Sequence, residues 1–112
     1  MTEISIEVMR ELFNQYNKDK FNSKLPLYTI EFRKMRCKGN IIFSKKIIKL
    51  NPIYDYNSMC NTLLHELAHA EIHRRGNRAK GHTLKFWRLF KSVGGIISDT
   101  NKALFKKASE VN

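Results

Sequence analysis

Apolar positions recur along this chain with two different periods, and the change of period divides it into segments. From about Ser5 to Lys20, Val8, Leu12, Phe13 and Tyr16 return at helical spacing, with Arg10, Glu11, Lys18 and Asp19 elsewhere, which predicts an amphipathic helix. The passage Phe21-Asn22-Ser23-Lys24-Leu25-Pro26 ends it, because proline disfavours helix at the preceding residue. Tyr28, Ile30 and Phe32 then alternate with Thr29, Glu31 and Arg33, the pattern of a half-buried strand. Lys38-Gly39-Asn40 reads as a turn, and Ile41-Ile42-Phe43 and Ile47-Ile48-Lys49-Leu50 flank Ser44-Lys45-Lys46 as a second hairpin. After Asn51-Pro52 a second helix is predicted from about Asn57 or Ser58 to Arg75, with Gly76 free to take the left-handed cap. Asn77 to Gly81 reads as a polar loop, and a third helix follows from about Thr83 to Val93, broken by Gly94-Gly95. Ala103-Leu104-Phe105 reads as a short terminal helix or docked tail. The expected class is α+β, with three or more helices packed on a small antiparallel three-stranded sheet.

The second helix carries the candidate chemistry, His65-Glu66-Leu67-Ala68-His69. Two histidines four apart lie one turn above each other on one helix face, so both imidazoles reach a single Zn²⁺. Glu66 sits about 100° round the helix, beside such a metal, where it can pass a proton from water to a leaving amine. With four His and seven Glu in the chain, chance supplies only about 0.01 such patterns. Leu63, Leu64, Leu67 and Ala70 form an apolar face, while Thr62, His65, Glu66, His69 and His73 fall opposite, as an open site requires. A hydrolytic zinc needs a third protein ligand. His73 lies about 12 Å along the axis from His65, too far to share one ion comfortably. His82 lies beyond the Gly76 break, with Gly81 before it to permit a sharp return, and is the preferred third ligand. His73 then becomes a rim residue. In the third helix Phe86, Trp87, Phe90 and Val93 form an apolar face that anchors it and fixes His82, with Lys85, Arg88 and Lys91 opposite.

Length and charge extend this picture. One domain spanning residues 1–112 is expected. The formal net charge is +11, from 21 Lys and Arg against 10 Asp and Glu, which favours a polyanionic partner, nucleic acid first. Arg74, Arg75, Arg78, Lys80, Lys85, Arg88 and Lys91 are the candidate nucleic-acid contacts, the first four placed to bring a polyanion near the metal. Cys37 and Cys60 fit no CxxC spacing, which excludes a zinc ribbon or disulfide framework within the chain and suits a reducing, intracellular setting in nucleus or cytoplasm. Met1 to Ser5 lacks the start of a secretory signal, and no apolar run is long enough to span a membrane, so no membrane partner is expected. A monomer is expected.

Three segments resemble a known family. Phe21-Asn22-Ser23-Lys24-Leu25-Pro26 is similar to its F-N-x-x-L-P passage. Asn61 to Ala70 is similar to its T-L-L-H-E-hydrophobic-x-H-A core, and Gly81-His82 with Phe86 is similar to its G-H-x-x-x-F element. In that order they resemble the SprT-like zinc metalloprotease domain, the family of Spartan-like DNA-dependent proteases. The resemblance implies a zincin-like minimal metalloprotease with zinc ligands His65, His69 and His82 and Glu66 as acid/base. It implies cleavage of proteins bound or crosslinked to DNA, with DNA as activator. Such proteases often take substrate as a strand added to a sheet edge, and Ile47 to Leu50 is the candidate edge. Many SprT-like proteins continue into a four-cysteine zinc-binding segment that helps engage DNA. This sequence carries no such cysteines, so DNA engagement falls to its own basic surface. Two other readings compete. One is an intracellular zinc protease degrading a specific regulator without DNA. The other is a non-enzymatic nucleic-acid-binding domain whose zinc is structural and closed by a fourth protein ligand.

Overall fold

The computed structural model describes residues 4–76, 81–97 and 102. Ser5 caps the first helix, α1 (Ile6–Phe21), by accepting the Val8 N–H, and Asn22 ends it in the left-handed conformation. The buried stripe of α1 is Met9, Phe13 and Phe21, with Leu12 and Tyr16 half-buried. Val8, expected on that stripe, is exposed, and Met9 takes its place. The Asn17 side chain clamps the backbone of Leu25 in both directions at 3.1 Å, which tucks Leu25 into the core. The F-N-x-x-L-P passage is thus a fastening of the chain as it leaves α1.

Three four-residue strands follow, β1 (Thr29–Phe32), β2 (Gly39–Ile42) and β3 (Ile47–Leu50). Their order is β1-β3-β2, so the sheet is mixed. β2 and β3 form the expected antiparallel hairpin, with Ile41 opposite Ile48. β1, however, pairs parallel with β3, Ile30 opposite Ile48, and not antiparallel with β2. The expected turn at Lys38-Gly39-Asn40 is therefore absent, and Gly39 and Asn40 open β2 instead. Residues 33–38 span a gap of about 10 Å, two strand spacings, into which β3 inserts. Asn51, fully buried, secures this crossover by donating to the carbonyls of Met35 and Cys37 while accepting from the Ile53 N–H. β3 is the central strand, contrary to its expected place at the edge. Its Ile48 and Leu50 are fully buried, and its backbone is paired on both sides, so it has no free edge.

Asp55 caps the second helix, α2 (Tyr56–Arg74), by accepting the Ser58 N–H at 2.8 Å. Thr83 caps the third, α3 (Leu84–Ser92), through the Phe86 N–H. One core joins Phe13 of α1, Ile30 and Ile48 of the sheet, Leu63 and Leu67 of α2, and Phe86, Trp87 and Phe90 of α3. β1 packs with α1, and β2 and β3 pack with α2. The α+β class is as expected. The terminal segment Ala103-Leu104-Phe105 lies outside the described residues. Among the described residues, no helix is long and apolar enough to cross a membrane.

Candidate metal centre and its surroundings

α2 is buried almost all round. Besides the apolar Leu63, Leu64, Leu67 and Ala70, it buries Thr62, Glu66 and Glu71. The expectation of an apolar face opposed by an open polar one is corrected here. The polar side is covered too, by β2 on one flank and α3 on the other.

The β2 flank follows from spacing. Thr62, Glu66 and His73 lie along one stripe of the helix, at i, i+4 and i+11. At one end a Cβ built on Gly39 would stand 2.7 Å from Thr62 Cγ2 and 2.8 Å from the Lys49 carbonyl. Only glycine lets β2 approach α2 this closely. At the other end the Phe43 and His73 rings stack at 4.1 Å and 5°. β2 therefore runs alongside the stripe, and Glu66 lies between its two fixed ends. Glu66 is 4% exposed, and burial raises its carboxyl to about 8. His73, expected at the rim, is half-buried under Phe43 and belongs to this flank.

The α3 flank holds the imidazoles. Residue 81 is a glycine with φ of +86°, a turn that brings His82 back to α2 immediately before the Thr83 cap. The ligating atoms of His65, His69 and His82 all lie within 4.8 Å of one another. His65 Nε2 and His82 Nε2 are 3.1 Å apart. Aromatic side chains of α3 line the cluster. Phe86 stacks on His69 at 4.1 Å and 18°. Phe90 meets His65 edge-on at 5.2 Å, and Trp87 lies 4.9 Å from His82 at 31°. Trp87 is fully buried, and its Nε1 is an orphaned buried donor among the described residues.

This apolar wall sets the electrostatics. Burial, then the neighbouring His69 and His82, push His65 down to about 3. Burial and His82 push His69 down to about 4, and burial lowers His82 as well. All three are neutral at pH 7 and keep their nitrogen lone pairs for a cation. Two nitrogens bound to one zinc at about 2.0–2.1 Å in a tetrahedron are about 3.3 Å apart, close to the His65–His82 separation. The donor set therefore fits a metal ion held by His65, His69 and His82, the three residues expected from the sequence. Neither Cys37 nor Cys60 belongs to this cluster, and both are free thiols.

The basic residues divide. Arg74 and Arg75 both pair with the buried Glu71 carboxylate, so their charge is partly committed within the chain. Burial pushes Glu71 up, but the hydrogen bonds and charges of Arg74 and Arg75 outweigh it and hold the carboxyl below its usual range. The i+3 and i+4 spacing carried that signal in the sequence. Lys85, Arg88 and Lys91 are exposed on the outer face of α3, as expected, while Arg78 and Lys80 lie outside the described residues. Of the tyrosines near the loop before α2, Tyr54 lies under the Lys38 ammonium at 5.5 Å, and Tyr56 is exposed.

The model of the SprT-like family matches residues 9–106. The fold is also similar to two crystal structures of metallopeptidase zymogens. One is Pyrococcus abyssi abylysin, at a TM-score of 0.59 and 16% identity, covering 90% of each chain. The other is Methanocaldococcus jannaschii jannalysin, at a TM-score of 0.60 and 18% identity, covering 93% of this chain and 97% of the other. No curated protein matches the sequence.

Proposed function

The chain belongs to the SprT-like family, and from that premise we propose that it is a zinc-dependent endopeptidase that cleaves proteins bound or crosslinked to DNA, with DNA as activator. The observation that carries the hydrolytic part is the convergence of three neutral imidazoles within 4.8 Å, two of them on the helix that also carries the buried Glu66 carboxyl. His65, His69 and His82 would hold the zinc. Zinc there supplies Lewis acidity, which acidifies water and polarises a peptide carbonyl. Glu66 takes a proton from the attacking water as its oxygen joins the carbonyl carbon. It then gives that proton to the amide nitrogen as the C–N bond breaks. Burial raises the proton affinity of Glu66 above that of an ordinary carboxylate and a zinc beside it would lower it again, a balance that suits a group which must first accept and then return a proton. β2 is the edge strand beside Glu66, so its free edge replaces β3 as the place for an extended polypeptide to add as a strand.

The DNA part rests on the net charge of +11 and on the exposed cations of α3. The test is cleavage of a DNA-binding protein by the zinc-loaded chain, with and without single-stranded DNA, with Glu66→Gln as control. The expected result is DNA-stimulated cleavage that Glu66→Gln lacks. Cleavage indifferent to DNA would replace this reading with a protease of a specific regulator. Absence of cleavage despite bound zinc and DNA would remove the enzymatic reading.

A further inference from the structure

α3 has two chemically opposite faces. Its aromatic side chains turn inward to the imidazoles, and its cations turn outward. On the outer side the helix and the end of α2 enclose an open depression lined by Arg75, Thr83, Leu84, Lys85, Arg88, Leu89 and Ser92. Among the described residues it contains three cations and no acid. Lys85 and Arg88 form no ion pair among the described residues, unlike Arg75, which Glu71 holds at 3.0 Å. Its two leucines, Leu84 and Leu89, are both half-buried and the aromatic residues of α3 are buried, so the depression offers neither a protruding apolar side chain to insert into a lipid surface nor a ring to stack on a base. What it offers is unneutralised positive charge at a spacing of three residues along one helix face, which suits consecutive backbone phosphates.

We propose that this depression, centred on Lys85 and Arg88, is a sequence-independent docking site for the phosphate backbone of nucleic acid. The proposal rests on the reading of DNA as a partner and narrows it to one face. It also separates Arg74 and Arg75, both tied to Glu71, from the two unpaired cations at the centre of the site. A helix is about 10 Å across, so DNA bound there lies behind α3 and leaves the imidazoles and the β2 edge open to protein held on the same strand.

The test uses Glu66→Gln protein, in which binding is measured without cleavage, and a labelled mixed-sequence oligonucleotide followed by fluorescence anisotropy over a range of salt. The double variant Lys85→Gln/Arg88→Gln is expected to weaken binding roughly ten- to fiftyfold near 0.1 M salt and to lower the log–log salt slope by about 2. The double variant Lys45→Gln/Lys46→Gln removes the same charge from the β2–β3 turn and is expected to stay within about twofold of the parent. A base-sequence change in the probe is expected to leave affinity unchanged. Equal losses in the two double variants would overturn the proposal in favour of diffuse attraction. An unchanged salt slope, or binding to phosphatidylserine vesicles but not to DNA, would overturn it as well. Because cleavage is not read, failure of the protease reading leaves this result interpretable: groove-dependent DNA binding by a chain that cuts nothing would retain the docking site and discard the enzyme.

Discussion

His65 and His69 reach the candidate metal centre by a different route from His82. The first two need only α2: four residues of helix put their rings one above the other. His82 needs the rest of the molecule. It depends on the left-handed turn at Gly81, the cap at Thr83, and the docking of α3 through Phe86, Trp87 and Phe90. The pair is preorganised by local geometry, and the third ligand by tertiary packing. Metal affinity should therefore report the integrity of α3 as much as the identity of the ligands.

The largest effects should come from the ligands themselves. Sharing the roughly 10–16 kcal/mol of a four-ligand structural zinc site equally gives about 3 kcal/mol, a hundredfold or more, per imidazole. His82→Ala should raise the zinc Kd by that factor in a chelator-competition titration, and His69→Ala by at least as much. An unchanged Kd in His82→Ala would break the comparison outright. Trp87→Ala comes next. It should destabilise the fold by about 3–5 kcal/mol and, through loss of the support beneath His82, weaken zinc binding about ten- to hundredfold. Trp87→Phe keeps an aromatic face and should recover most of the affinity. If Trp87→Ala loses stability but binds zinc normally, the ring merely fills space.

Gly39→Ala acts on the other flank. The added methyl meets Thr62 and the Lys49 carbonyl, so β2 must move away from α2 at a cost of about 1–3 kcal/mol. Zinc affinity should hold, while cleavage falls as the edge strand leaves Glu66. A pH dependence acts on the metal-free fold as a whole. In metal-free protein His65 and His69 sit at about 3 and about 4, below the ordinary 6.5. These two histidines therefore bind more protons in the unfolded chain below about pH 6.5, and their contribution to stability falls with pH from there towards 4 and then 3, while Glu66, raised to about 8, opposes the loss between about pH 8 and 4.5. A thermal melt series in chelator should show this loss, and saturating zinc at neutral pH should raise Tm by mass action.

The same contrast decides what was legible in the sequence. His65, Glu66 and His69 stood out because a helix converts spacing directly into geometry. The split of α3 into aromatic and basic faces was legible for the same reason. His82 followed from the need for a third ligand and from the glycines on the way back. The strand order was not legible. Four-residue strands of similar composition fit several pairings, and nothing local announces that β3 inserts between β1 and β2. The clamps at Asn17 and Asn51 leave no periodic trace, because each is one side chain bonded to backbone several residues away. The burial of Glu66 depends on the approach of β2 across Gly39, and a helical wheel of α2 alone exposes that face.

The central claim is an open, three-histidine metal centre, and X-ray absorption of the zinc-loaded chain tests it most directly. The expected spectrum has three imidazole nitrogens at about 2.0–2.1 Å and one light non-protein oxygen, with no sulfur. The imidazole contribution should drop by one in His82→Ala. A fourth protein ligand, or a thiolate from Cys37 or Cys60, would close the site and contradict the hydrolytic reading in favour of a structural zinc.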